Sequence, residues 1–269
     1  MHLKRLLTAI ILLPFLIYII GFGPRELFYL VLFSTTIISL MEFYKITTSN
    51  LSKPVKFSMC LVTLLLFLVI YQGQILFVQL ATVLFAFVPM SYFMFTYASS
   101  GKQAMPDIGN AVMGPIYIVI PLSMMLQIDR YYPDKGYIWI FFLLVVIFSS
   151  DTGAFYCGKL FGKHKLYKTI SPGKTWEGAI GGVVCSMIAA LWFLHLLPQC
   201  QISPGMLVLV VILSVAGQIG DLVESMLKRN HGIKDSGSIL PGHGGILDRI
   251  DSLLFATPVL FGYLSFYRI

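Results

Sequence analysis

Charge is what this chain has least of. Only 12% of its 269 residues are Asp, Glu, Lys or Arg, while 57% are hydrophobic, and mean hydropathy is +0.84. Soluble domains carry about 25% charged residues, so a soluble globular fold is excluded and an integral membrane protein is implied. Cysteine is also sparse. Cys60, Cys157, Cys185 and Cys200 show no paired spacing, which speaks against a disulfide framework or a cysteine metal site. There is no His-Glu-x-x-His, no Gly-x-Ser-x-Gly, no Cys-x-x-Cys and no dinucleotide-binding glycine fingerprint. Metalloprotease, esterase and redox chemistry lose most of their support with them.

What the chain does have is long apolar runs. Crossing ~30 Å of hydrocarbon as a helix takes about 20 residues, and about nine stretches qualify, centred near Pro14, Ser34, Leu65, Phe85, Val119, Val145, Ile188, Leu213 and Val259. The runs do not alternate polar and apolar residues, as barrel strands would. The expected fold is therefore an all-α polytopic membrane protein of about nine transmembrane helices. The opening Met-His-Leu-Lys-Arg reads as the start of an uncleaved first span, because no small-x-small cleavage site follows. With the amino terminus in the cytoplasm, 15 of the 19 Lys and Arg fall on the inner side, a strong positive-inside bias. The expected location is the inner membrane, multi-pass, with a basic cytoplasmic face that attracts anionic headgroups and polyphosphates. Nucleic acid is not an expected partner.

The two halves differ. Residues 1–135 read as amino-terminal membrane helices without reactive groups; their acids, Glu26, Glu42, Asp107, Asp129 and Asp134, read as interfacial. Residues 136–269 read as the catalytic half. There Asp151, Glu177, Asp221, Glu224, Asp248 and Asp251 fall within or at the ends of apolar spans. Asp151 precedes Lys159 by eight residues and Asp221 precedes Lys228 by seven, which puts each roughly 10–12 Å inside its helix end. Asp251, six residues beyond Gly245, lies roughly 9 Å deep. Charge in the membrane is costly unless paired or wetted, so acids at similar depth imply a shared, water-accessible cavity on the cytoplasmic side.

Three groupings carry the chemistry. Asp248 and Asp251, spaced i,i+3, share a helix face, and Asp221 on the preceding span is placed to meet them; hard divalent cations take such carboxylate oxygens together with water and phosphate. The loop Gly237-Ser238-Ile239-Leu240-Pro241-Gly242-His243-Gly244-Gly245 is barred from regular helix. Gly244 and Gly245 would let backbone approach a ligand, and the free N–H groups of the helix starting near Ile246 would make an anion site. The third grouping, Ser171-Pro172-Gly173-Lys174-Thr175-Trp176-Glu177, sets Lys174 between hydroxyls at a helix start. Its Gly-Lys-Thr is not a P-loop, since Lys168 stands where the first glycine is required and no strand is expected before it.

The run Ser225, Lys228-Arg229, Lys234-Asp235, Pro241, His243-Gly244-Gly245, Asp248-Arg249 and Asp251 resembles the signature of the phosphatidate cytidylyltransferase (CDP-diacylglycerol synthase) family without a departure. Ser150-Asp151-Thr152-Gly153 and Ser171-Pro172-x-Lys174-Thr175-x-Glu177-Gly178 are similar to further motifs of that family. The likeness covers about the last 130 residues. It implies transfer of a cytidylyl group from CTP to phosphatidate, giving CDP-diacylglycerol and pyrophosphate, with Mg²⁺ required, an all-helical membrane fold and a homodimer. On this reading Asp221, Asp248 and Asp251 hold one or two divalent ions, or one with an added monovalent cation, and Asp151, Glu177 and Glu224 are further candidates. Lys228 and Arg249 join the three Asp as catalytic candidates. Ser171, Lys174, Thr175, Arg229, Lys234, Asp235, His243, Gly244 and Gly245 are the substrate-binding candidates. Two other activities are weighed. A CTP-dependent polyprenol kinase would share CTP and metal but lacks need of the His-Gly-Gly-x-x-Asp-Arg-x-Asp run. An ion-coupled transporter would need acids reachable from both faces and paired broken helices, which the sequence does not present.

Overall fold

In the computed structural model the described residues are 14–48, 51–132, 135–197, 203–237, 239 and 244–267. They are almost wholly helical. After a helical stretch over 14–21 come α1 (Arg25–Thr47), α2 (Lys53–Tyr71), α3 (Ile75–Phe95), α4 (Ala104–Gly114), α5 (Ile120–Tyr131), α6 (Gly136–Phe161), α7 (Trp176–His195), α8 (Pro204–Asn230) and α9 (Leu247–Tyr267). Among the described residues seven helices are long and apolar enough to cross a membrane, α4 and α5 counting as one span over Gly101–Tyr131. Leu76, Phe95, Ile188 and Trp192 are exposed along them, as lipid-facing side chains are where hydrocarbon is the solvent. The polytopic all-α fold expected from the sequence is thus present. The one addition is a hairpin between α6 and α7, in which β1 (Lys165–Tyr167) pairs antiparallel with β2 (Ser171–Thr175). A strand does precede α7, contrary to the sequence reading; yet Gly173-Lys174-Thr175 lies in the strand itself, so it still cannot wrap a phosphate as a P-loop does.

The chain divides into two compact units. One comprises Met1–Asp134 and Asp235–Asp248, the other Lys135–Lys234 and Arg249–Ile269. In the first, the regular α-helix of the α4–α5 span is interrupted at Pro115, which opens a π-helical turn over Pro115–Val119. Proline has no N–H to give the carbonyl four residues earlier, and the hydroxyl of buried Tyr44 donates to that carbonyl, Ala111 O, at 2.8 Å. That bond supplies the carbonyl with a donor in an apolar interior, where an unsatisfied one is costly. Gly114 lets α1 close in, since an added Cβ would sit 2.9 Å from Leu40 and Tyr44. Asp129, one of the acids read as interfacial, is buried and pairs with Arg25 at 2.9 Å.

The second unit is built on the α6–α7 pair. Small residues line their contact: a Cβ on Gly153 would meet Cys185 Cβ at 2.6 Å, and one on Gly181 would collide with Cys157. This is how membrane helices gain packing where no hydrophobic effect separates helix from lipid. Both cysteines are free and serve as small apolar packing residues, in line with the sequence reading; Cys200 lies outside the described residues. Polar glue joins α8 to the pair, with Ser150 and Ser214 hydroxyls 2.7 Å apart and Gln218 donating to Ala179 O at 3.1 Å. Gly217 and Gly220 bring α8 close to α9; a Cβ at Gly220 would lie 2.5 Å from Asp251 O.

Candidate active site

Within the second unit, α6, α8 and α9 bring Asp151, Asp221 and Asp251 near enough to repel one another electrostatically. Lys174, at the end of β2, answers them: its Nζ lies 2.8 Å from Asp221 Oδ2 and attracts Asp151 as well. One turn further along α8, buried Glu224 pairs with Lys228 at 3.1 Å and shares a hydrogen bond with Asp251. Asp251 is buried, and its Oδ1 accepts from Ser252 N at 2.7 Å. Four carboxyls therefore face two lysines across three helices and a strand. No three His, Cys, Asp or Glu among the described residues are drawn together tightly enough to hold an ion as they stand. The donor chemistry nevertheless fits one kind of ion. Oxygen-only donors with surplus negative charge suit a hard divalent cation, and Asp151, Asp221 and Asp251 are the residues that would hold it.

The remaining candidates have definite places. Thr175 is buried and caps α7, its Oγ1 accepting from Gly178 N at 3.1 Å. Ser171 opens β2 opposite Tyr167. Glu177 is taken up locally: its carboxylate accepts from the Lys163 and His164 amides at 3.1–3.2 Å and lies 2.6 Å from His164 Nδ1. It clamps the loop entering the hairpin, beside an open basic depression lined by Lys163, His164, Lys165, Lys168 and Trp176. Arg229, exposed at the end of α8, donates to Ile170 O at 3.4 Å. Arg249 and Lys234 are exposed, as is Asp235. His243 lies outside the described residues, as do Ser238, Leu240, Pro241 and Gly242.

In the first unit the signature loop is folded around carboxylates. Asp248 reaches back to its own helix start, accepting from Gly245 N at 2.8 Å and from Ser236 N at 3.0 Å; the first of these is half of a capping box. Gly244 takes φ +81°, and a Cβ there would lie 2.5 Å from Asp248 Oδ2. The next two amides go to Glu42 of α1: Ile246 N donates at 3.2 Å and Leu247 N at 2.8 Å, while Ser236 Oγ donates at 3.1 Å. Glu42 is 6% exposed. This corrects the sequence reading twice. Glu42 is not an interfacial bystander, and the N–H groups at the start of α9 are not free for a phosphate, because two of the protein's own carboxylates hold them. Gly237 and Gly245 make room for Glu42: a Cβ on Gly237 would collide with its Oε1, and one on Gly245 with Ser236 Oγ. Sequence reasoning passed over Glu42 and Ser236. The available signal was that Glu42 has apolar neighbours on both sides, Leu40-Met41 and Phe43-Tyr44, before the first base at Lys45, a setting where charge is costly.

Carboxyls and lysines thus meet beside a basic hairpin in a polytopic helical protein. The profile of the Cytidylyltransferase family matches residues 3–267, and the chain belongs to that family. It is similar to the phosphatidate cytidylyltransferase of Bacillus subtilis (strain 168), 46% identical over 162 residues, 60% of each chain. Those of Staphylococcus saprophyticus and Staphylococcus haemolyticus are 41% identical over 175 residues and 43% over 176, each match covering 64% of this chain and 66% of the relative. The matched stretches thus span less than two thirds of these relatives' length.

Proposed function

We propose that this protein transfers the cytidylyl group of CTP to phosphatidate, releasing pyrophosphate and forming CDP-diacylglycerol. The observation that carries the reading is the meeting of Asp151 and Asp221 with Lys174, and of Asp251 with Asp221 and Lys228, in a chain whose family and named relatives point to the same chemistry. An oxygen of the phosphatidate phosphate forms a bond to the α-phosphorus of CTP while the bond from that phosphorus to the β-phosphate bridge oxygen breaks, and pyrophosphate leaves with the electron pair. A phosphomonoester carries about −1.5 to −2 charges at neutral pH, so the nucleophile needs no general base. The demands on the protein are positioning and charge neutralisation. Mg²⁺ bound by Asp151, Asp221 and Asp251 would supply neutralisation of the polyphosphate. Lys174, already poised on Asp221, exchanges that carboxylate for a phosphate oxygen when the nucleotide enters; Lys228, Arg229, Lys234 and Arg249 are the further phosphate contacts. Asp248 shapes the loop that leads into α9, and Ser171 and Thr175 order the strand that carries Lys174. A positive-inside orientation, with 15 of 19 Lys and Arg on the inner side, supports a site on the cytoplasmic face of the inner membrane, where CTP is. A homodimer is part of the proposal, checked by cross-linking in native membranes.

The test is label transfer from α-labelled CTP into organic-extractable lipid by the purified protein, with phosphatidate and Mg²⁺, with and without EDTA. Incorporation that needs both phosphatidate and the divalent ion is the expected result. No incorporation by folded protein, or transfer only from γ-labelled CTP to a polyprenol, overturns the reading; the second outcome would make it a lipid kinase.

A further inference from the structure

We propose that Glu42, in the half of the chain that looks chemically inert, is a positioning residue for the active site. Its carboxylate accepts from Ile246 N, Leu247 N and Ser236 Oγ, and so sets where α9 begins and how the loop before it is folded. Asp251 lies on that helix, one turn beyond Leu247. A helix start offers four N–H groups without intrahelical partners, and the positive end of the helix dipole favours an anion there. In this fold the anion is supplied by α1. Asp248 holds the preceding amide, Gly245 N, so the two carboxylates leave no gap for a solvent or substrate anion at these three groups. The packing agrees: the absence of a side chain at Gly237 and Gly245 is what admits the Glu42 carboxyl. Tyr44, two residues on, is fixed to Ala111 O, and the flanking Leu40 and Phe43 are fully buried, so Glu42 projects from a rigid stretch of α1. Glu42 touches no reacting atom; it acts through the placement of α9.

The inference about activity rests on the function proposed above, but the placement does not, and the test separates them. Amide exchange of the full-length protein in detergent, read by mass spectrometry, is compared for wild type, Glu42→Gln, Glu42→Asp and Glu42→Ala, alongside kcat and KM for CTP. In Glu42→Gln, which keeps the shape, exchange over residues 245–248 should quicken while that of α2 stays as in wild type. Its kcat should fall by as much as about 10²-fold, the scale of a small misplacement at a reacting centre, with KM for CTP little changed. Glu42→Asp, retaining the charge, should recover part of kcat. Unaltered exchange at 245–248 in both Gln and Ala variants overturns the inference, as does quickened exchange throughout the chain, which would mean a general structural role. Should wild type transfer no cytidylyl group, the proposed function fails while the exchange result still decides the role of Glu42. If Glu42→Ala does not fold, the isosteric Gln variant carries the test alone.

Discussion

Single atoms decide much of the signature loop. Gly245 tolerates no Cβ because the space is filled by Ser236 Oγ and the Glu42 carboxyl, both hydrogen-bonded and unable to give way cheaply. Overpacking of this kind costs about 1–3 kcal/mol, so Gly245→Ala should lower the thermal midpoint of the detergent-solubilised protein and its activity together, measured by thermal shift and label transfer. An unchanged midpoint would show that the loop relaxes. Gly244→Ala should be similarly damaging for a different reason, the left-handed φ of +81°, which costs a residue with a side chain roughly 1–2 kcal/mol. Lys174 permits a sharper prediction, because its two proposed partners respond in opposite directions. Removing it from Asp221, 2.8 Å away, takes a competing cation from the carboxylates, so Lys174→Ala should need less Mg²⁺ for half-maximal rate. The lost phosphate contact should raise KM for CTP about tenfold, the size of one charge-assisted bond of roughly 1.5 kcal/mol. Mg²⁺ titrations at fixed CTP, and the converse, would reveal both; a rise in the Mg²⁺ requirement would contradict the arrangement proposed for Asp221.

At the scale of elements, the acids are placed by how closely helices approach. Gly220 allows α8 to lie against the backbone of α9 at Asp251, and Gly182 allows α7 to lie against Ser150 O of α6, a Cβ there being only 2.8 Å from it. Gly220→Val should therefore separate Asp221 from Asp251 and abolish detectable transfer in a protein that still inserts, a result checked by label transfer beside the yield of membrane-extracted protein. Retained activity would mean that the two carboxylates need not act together. The hairpin works differently. Glu177 holds its entrance through the Lys163 and His164 amides, contacts to an exposed loop that is worth far less than a buried helix contact. Glu177→Gln should cut activity only several-fold, because its partners are amides of an exposed loop; complete loss would argue for a direct role with cation or substrate.

For the whole molecule, the distribution of bases is the strongest statement. With the cytoplasmic amino terminus proposed, single cysteines introduced on a background without the native four should react with a membrane-impermeant thiol reagent from the inside at Lys165 in the hairpin, and from the outside at Lys135 before α6. The reverse pattern would invert the topology and remove CTP from the side on which the acids lie. Seven membrane-crossing helices are recognisable among the described residues; the same labelling, extended to residues near Pro14 and Val259, counts whether the total is nine.

The membrane class, the helices and their approximate centres were legible in the sequence, because hydrocarbon demands that backbone polar groups be satisfied within each span, and that demand writes itself into composition residue by residue. Asp151, Asp221 and Asp251 stood out for the same reason, charge within apolar runs being too costly to stand without a partner; Lys174 stood out only by its place between hydroxyls before a helix, and Asp248, read from its i,i+3 spacing as a partner of Asp251, holds the Ser236 and Gly245 amides. Tertiary structure alone decided which charge meets which. Glu42 and Ser236 are 194 residues apart in sequence, and no periodicity links them. The glycines of the signature loop looked like room for a ligand, yet Gly237 and Gly245 are room for a carboxylate from the other end of the chain. Local pattern records how each segment satisfies itself; the partner of a buried charge is fixed only when distant segments pack.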